Sequence, residues 1–159
     1  MKIKSLSSVV LILILINISC AQKTALQSNP NISLQVDRNS DISTSDQNSS
    51  LITSGNYNVI RLKFVGPGDK KIDAGMDKTL ILKVPETEEL EVNDWKSYKG
   101  FIEISGCRCL NRGLNPIESG TVKIKKLHKK TWQITADVTA TGIDNDQKLT
   151  LDWQGTIKE

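Results

Sequence analysis

Histidine is almost missing from this chain of 159 residues: His128 is the only one. A tetrahedral zinc site draws on four Cys, His or carboxylate ligands, so one histidine and three cysteines leave no metal centre to expect. A hydrolytic triad needs a nucleophile and an orienting acid around its histidine. His128 stands in "KIKKLHKK", whose charge is all positive, and reads as a solvated turn residue. A glycine-rich phosphate loop, a His-Glu-x-x-His pair and a nucleophile elbow are all lacking. Cys107 and Cys109 have neither the spacing nor the helix of a thioredoxin-like pair. Asp144, Asn145 and Asp146 lack the glycine and distant glutamate of a calcium loop and read as a turn. Asp137 and Asp152 are candidates to meet on a polar sheet face, where solvation accounts for them. The expectation is a protein that is not an enzyme and holds no cofactor.

Aromatic residues are scarce and late: three Trp, two Tyr and two Phe, none before Tyr57. The hydrophobic core is therefore placed in residues 51–159, one domain of ordinary size. Long apolar runs are missing too. The one aliphatic segment, Val9 to Ile16, is short, and even ten residues of helix rise only about 15 Å, half of a bilayer core of roughly 30 Å.

What is present at the start is an export signal. Lys2 and Lys4 precede the aliphatic run, and small residues follow it at Ser19, Cys20 and Ala21, as in a secretory signal peptide. With Ser19 before Cys20, the segment resembles a bacterial lipoprotein signal, though Asn17 stands where an aliphatic residue is usual. The resemblance implies cleavage after residue 19, lipidation of Cys20 and a membrane partner through the lipid anchor, at the outer membrane or cell surface. The alternative is cleavage after Ala21, which discards Cys20 and yields a soluble periplasmic or secreted product. In either case nucleic acid is not an expected partner.

Residues 20–50 are mostly Ser, Thr, Asn and Gln with no aromatic. Such composition buries too little apolar surface to offset ordering entropy and predicts a polar tether, with a root-mean-square span of about 30 Å for some 30 residues. Within it Ile32, Leu34 and Val36 alternate like a strand, which leaves open an added edge strand.

Beyond residue 50 the apolar residues recur at period two, the signature of strands with one buried face. The clearest runs are Trp132–Val138 and Leu149–Trp153, followed by Ile60–Phe64, Leu80–Val84, Ile102–Ile104 and Val122–Ile124. Turn-type residues separate them at 66–70, 111–116, 128–130 and 141–147. The last three strands should form an antiparallel meander, while Pro85 to Asp94, rich in Glu, reads as a helical turn or a solvated loop. The fold class is all-β: a small antiparallel β-sandwich, or alternatively a lipocalin-like or other small barrel.

Two features carry candidate chemistry. Cys107 and Cys109 form either a tight disulfide, requiring a local turn that Gly106 would supply, or a pair of reduced thiols; a soft-metal site is the least supported option. Lys123, Lys125, Lys126, Lys129 and Lys130 would make a positive patch for an anionic surface, or simply a solvated hairpin that protects an edge. The function this points to is an envelope lipoprotein displaying a domain that binds a protein or glycan. The alternative is a carrier enclosing a small ligand in a barrel.

Overall fold

Alternating side chains become strands throughout the computed structural model, which describes residues 31–44, 50–68, 75–142 and 147–159. The signal segment, Cys20 and Asp144–Asp146 lie outside the described residues. The strands are β1 (Ile32–Thr44), β2 (Ser50–Ser54), β3 (Tyr57–Phe64), β4 (Asp77–Val84), β5 (Glu89–Val92), β6 (Gly100–Ser105), β7 (Gly113–His128), β8 (Thr131–Thr141) and β9 (Lys148–Lys158). Every pairing is antiparallel, in the order β2-β1-β3-β4-β6-β7-β8-β9, with β5 on the other side of β7. The chain is all-β and its sheet does not close into a barrel. Strands β7, β8 and β9 form the expected meander.

Two layers arise because β7 belongs to both. Its start pairs with β6 as far as Phe101↔Pro116, and from Ile117↔Ala140 onward it pairs with β8. Proline has no N–H to donate to a ladder, so Pro116 is a natural place to change neighbours. A register shift between Ile117 and Ser119 follows. Gly120 then adopts φ +101°, and a Cβ there would lie 2.0 Å from the Asp137 carbonyl oxygen. Only glycine fits that approach.

The layers meet through the inward-facing residues. Leu34, Val36, Ile60, Leu62, Leu80, Leu82, Ile102 and Ile104 come from the first layer, and Val122, Ile124, Trp132, Ile134, Val138 and Leu151 from the second. Phe64 meets Trp153 edge to face with ring centroids 6.0 Å apart. The outer face of the first layer is also covered in part. Val59, Ile81 and Leu114 are buried there beneath Ile42, Ile52 and Phe101. The cover exists because β1 shifts register between Asp37 and Ser40, with Asn39 at φ 51°, before its second half pairs with β2.

Three expectations need correction. Residues 32–44 are not tether: they form β1, with Leu34 and Val36 each only 8% exposed. The strand needs few apolar residues of its own, because β3 supplies a hydrogen-bonding edge and the core supplies the rest of the burial. The domain therefore includes residues from 31 onward. Likewise 85–94 is neither helix nor plain loop, since Glu89–Val92 pairs with β7. The stretch 111–116, read as a turn, already belongs to β7 from Gly113.

An ion pair closes the open side between β1 and β9. Arg38 donates from Nη1 and Nη2 to the two oxygens of Glu159, at 2.8 and 2.7 Å, a bidentate geometry. The Arg38 hydrogen bond holds the Glu159 carboxyl below its ordinary value of 4.5; burial opposes this, and Lys130 and the Trp132 indole assist it.

Two outcomes follow. Burying Leu34 and Val36 contributes about 1.5–3 kcal/mol each, a large part of a domain stability of about 5–15 kcal/mol. A fragment starting at residue 51 should therefore lose its cooperative thermal transition by circular dichroism, and one starting at residue 31 should keep it. For Glu159, the depressed folded value means that its stabilisation is present above the unfolded value and lost as pH falls through the folded one. Glu159→Gln should lower the thermal midpoint at pH 7 by about 3 °C, consistent with a half-exposed pair worth roughly 0.5–1 kcal/mol. Wild type and variant should converge as pH falls through the lowered folded value of Glu159.

Candidate binding cleft

The segment between β5 and β6, "NDWKSYK", folds back on itself around Asp94. One carboxylate oxygen of Asp94 accepts from the Lys96 backbone N–H at 3.1 Å and the other from the Ser97 hydroxyl at 2.9 Å, a local bonding pattern typical of aspartate in turns. The turn directs Trp95 inward, where it is 9% exposed and its indole N–H donates to the Gly120 carbonyl at 2.8 Å. Tyr98 stands edge-on to Trp95 at 5.8 Å, and its hydroxyl donates to the Lys83 carbonyl. Burial pushes the Tyr98 phenol well above its usual value, so it stays a neutral donor.

These rings line a cleft of about 310 Å³. Trp95, Tyr98 and Phe101 line it together with Pro116 and Ile117 of β7. Ile42 and Thr44 from the β1 arm also line it, and Lys83 and Lys99 bring positive charge to it. Lys83 is positioned by Asp41, 3.1 Å away, and by the Tyr57 ring, 4.9 Å from Nζ to centroid. The Asp41 carboxyl is held below its ordinary value by that lysine and by the Ile42 N–H. Gly100 makes room for the tryptophan: a Cβ there would lie 2.7 Å from both Trp95 Cζ3 and Leu82 Cδ2. Apolar rings with a few fixed polar groups in a concave site are what small-ligand pockets are made of.

The residues singled out from sequence lie elsewhere. Cys107 and Cys109 are joined by a disulfide, Sγ to Sγ 2.07 Å with Cα atoms 5.3 Å apart, in the loop at the far end of β6. Gly106 precedes them at φ +77°. The lysine cluster is not a continuous cationic surface. Lys123 pairs with Glu91 at 2.7 Å, Lys125 with Glu89 at 3.2 Å, and Lys126 with Glu88. Glu88, Glu89 and Glu91 and the lysines of β7 are thus each other's partners beside the β5–β7 ladder. Lys129 and Lys130 sit exposed in the β7–β8 turn beside the exposed His128. Asp137 and Asp152 are directly opposed across β8 and β9, both exposed. Among the described residues no group of three His, Cys, Asp or Glu side chains is placed to hold a metal ion.

Alternation in the sequence does not reveal the cleft residues. Trp95 and Tyr98 belong to no alternating run, and two rings within four residues of an irregular, lysine-flanked segment were the available signal. Compared with protein-family models, curated proteins and solved structures, the chain matches none.

The cleft depends on the Gly100 seat. Gly100→Ala should cost about 1–3 kcal/mol through overpacking and alter the near-ultraviolet circular dichroism of the Trp95–Tyr98 pair, while the far-ultraviolet strand signal persists.

Proposed function

We propose that this protein is an exported envelope lipoprotein, anchored through Cys20, whose β-sandwich binds a glycan of the cell envelope in the aromatic cleft without turning it over. The cleft carries the reading. Tyr98 and Phe101 offer ring surface to the C–H faces of a sugar, and the ammonium groups of Lys83 and Lys99 donate to hydroxyl or carboxylate oxygens. Its size favours a glycan: 310 Å³ suits one or two sugar units, whereas a protein partner needs about 800 Å² of surface on each side. A small-ligand carrier would require apolar space between the layers, and that space is filled by Ile60, Leu62, Trp132 and Ile134, each fully buried.

Calorimetric titration with soluble fragments of envelope polysaccharide tests this. Phe101→Ala should weaken binding at least tenfold, about 1.4 kcal/mol, while a variant with Lys129→Ala and Lys130→Ala binds as wild type. No binding by any fragment, or loss confined to the turn lysines, sinks the cleft. In the same preparation, intact mass should show diacylglyceryl on Cys20; a chain beginning at Gln22 would sink the anchor.

A further inference from the structure

The disulfide between Cys107 and Cys109 has little structural work to do. It encloses a single residue, Arg108, and the stabilisation a crosslink gains by restricting the unfolded chain grows with the logarithm of the loop it closes. This loop is close to the smallest there is. Nor does the bridge tie distant elements together. Both cysteines lie in the connection from β6 to β7, strands already paired through Ile104↔Gly113. Breaking the bond would leave every ladder of the sandwich intact.

The sulfur pair is partly accessible, and two arginines stand beside it in the sequence. Cys107 and Cys109 are half-buried, resting one flank on the core, while Gly106, Arg108, Leu110 and Arg112 around them are exposed. Leu110 is 74% exposed, the most open large apolar residue of the described chain. Arginine near a cysteine favours the thiolate form, and so eases departure of a sulfur as thiolate.

We propose that Cys107–Cys109 is a thiol–disulfide exchange site that oxidises a dithiol carried by another polypeptide, which Leu110 contacts. The step balances as follows. A partner thiolate attacks one Sγ, the Sγ–Sγ bond breaks, and its electron pair leaves on the other Sγ as a thiolate. A mixed disulfide has then formed. The partner's second thiolate attacks its own sulfur in that bond and releases the remaining cysteine thiolate. The partner gains a disulfide and loses two electrons; the cysteine pair gains those electrons and takes up two protons at neutral pH. This site lies apart from the cleft and stands or falls separately from it.

The test uses the full chain as isolated in its oxidised form and a reduced synthetic peptide containing two cysteines. Mass spectrometry should show the peptide losing two hydrogens in a one-to-one exchange with the protein. Cys107→Ser and Cys109→Ser, each with one thiol left, should show at least one of the two forming a mixed disulfide with the peptide's pre-oxidised form. Removing charge with Arg108→Gln and Arg112→Gln together should slow the exchange about tenfold. Full reduction by dithiothreitol should move the thermal midpoint by no more than a few degrees. The proposal is overturned if the bridge resists excess dithiol until the domain unfolds, or if reduction lowers the midpoint as a core substitution would. It is equally overturned if the arginine variant exchanges at the wild-type rate, which would make the bond merely an exposed one.

Discussion

The bend in β7 between Pro116 and Gly120 is the constraint on which the architecture rests. A straight strand of 16 residues would continue the first layer into one open sheet with an uncovered apolar face. Because Pro116 ends the pairing to β6 and Gly120 lets the chain pass against the Asp137 carbonyl, the second half turns back. It carries β5, β8 and β9 over the first layer. Val122, Ile124 and Trp132 then face Ile60, Leu80 and Ile102, and both sets leave water. The same bend makes the cleft. Trp95 is moored to the Gly120 carbonyl, and Pro116 and Ile117 form part of the wall, so fold and site share one feature.

Apolar burial outweighs charge in holding the layers together. The pairs of β5 with β7 are more than half exposed at Lys123–Glu91 and Lys125–Glu89, where such contacts contribute about 0–1 kcal/mol. A single buried core side chain contributes about 1.5–3 kcal/mol, and the core contains some twenty of them. The glutamates and lysines set which strand lies beside β7 more than how tightly it is held. They also spend the positive charge that the lysine run would otherwise offer to an anionic surface. Arg38 and Glu159 differ in being bidentate and in spanning the gap that keeps the sandwich from closing.

The parts of the fold legible in the sequence are those where one face is buried and the other wet. Trp132, Ile134, Ala136 and Val138 announce β8 because water on the far side demands polar residues at the intervening positions. Alternation says less where both faces are covered. Ile81 and Val59 interrupt the pattern because β1 and β2 arch over them, a tertiary event with no local signature. Strand β1 has the composition of a tether because its neighbours, not its own residues, provide its burial, although Ile32, Leu34 and Val36 carry the trace. Strand β5 was hidden by its glutamates, whose partners lie more than thirty residues away. The candidate site was less legible still. Cleft residues come from the arm of β1, from β4, from an irregular loop and from β6 and β7, so no single window of sequence holds them.

Strand β6 joins the aromatic cleft to the cysteine loop. Gly100 at its start seats the tryptophan of the cleft, and Ser105 at its end leads into the cysteine loop, a run of about 17 Å at the rise of an extended chain. Between them Ile102 and Ile104 are buried and bonded to β4 on one side and β7 on the other. Coupling between two sites requires an element with two arrangements that both can bias. A strand bonded on both edges, with its inner face packed into the core, has only one. A ligand seated against Phe101 and a polypeptide docked at Leu110 would therefore occupy the domain together, each without altering the affinity of the other.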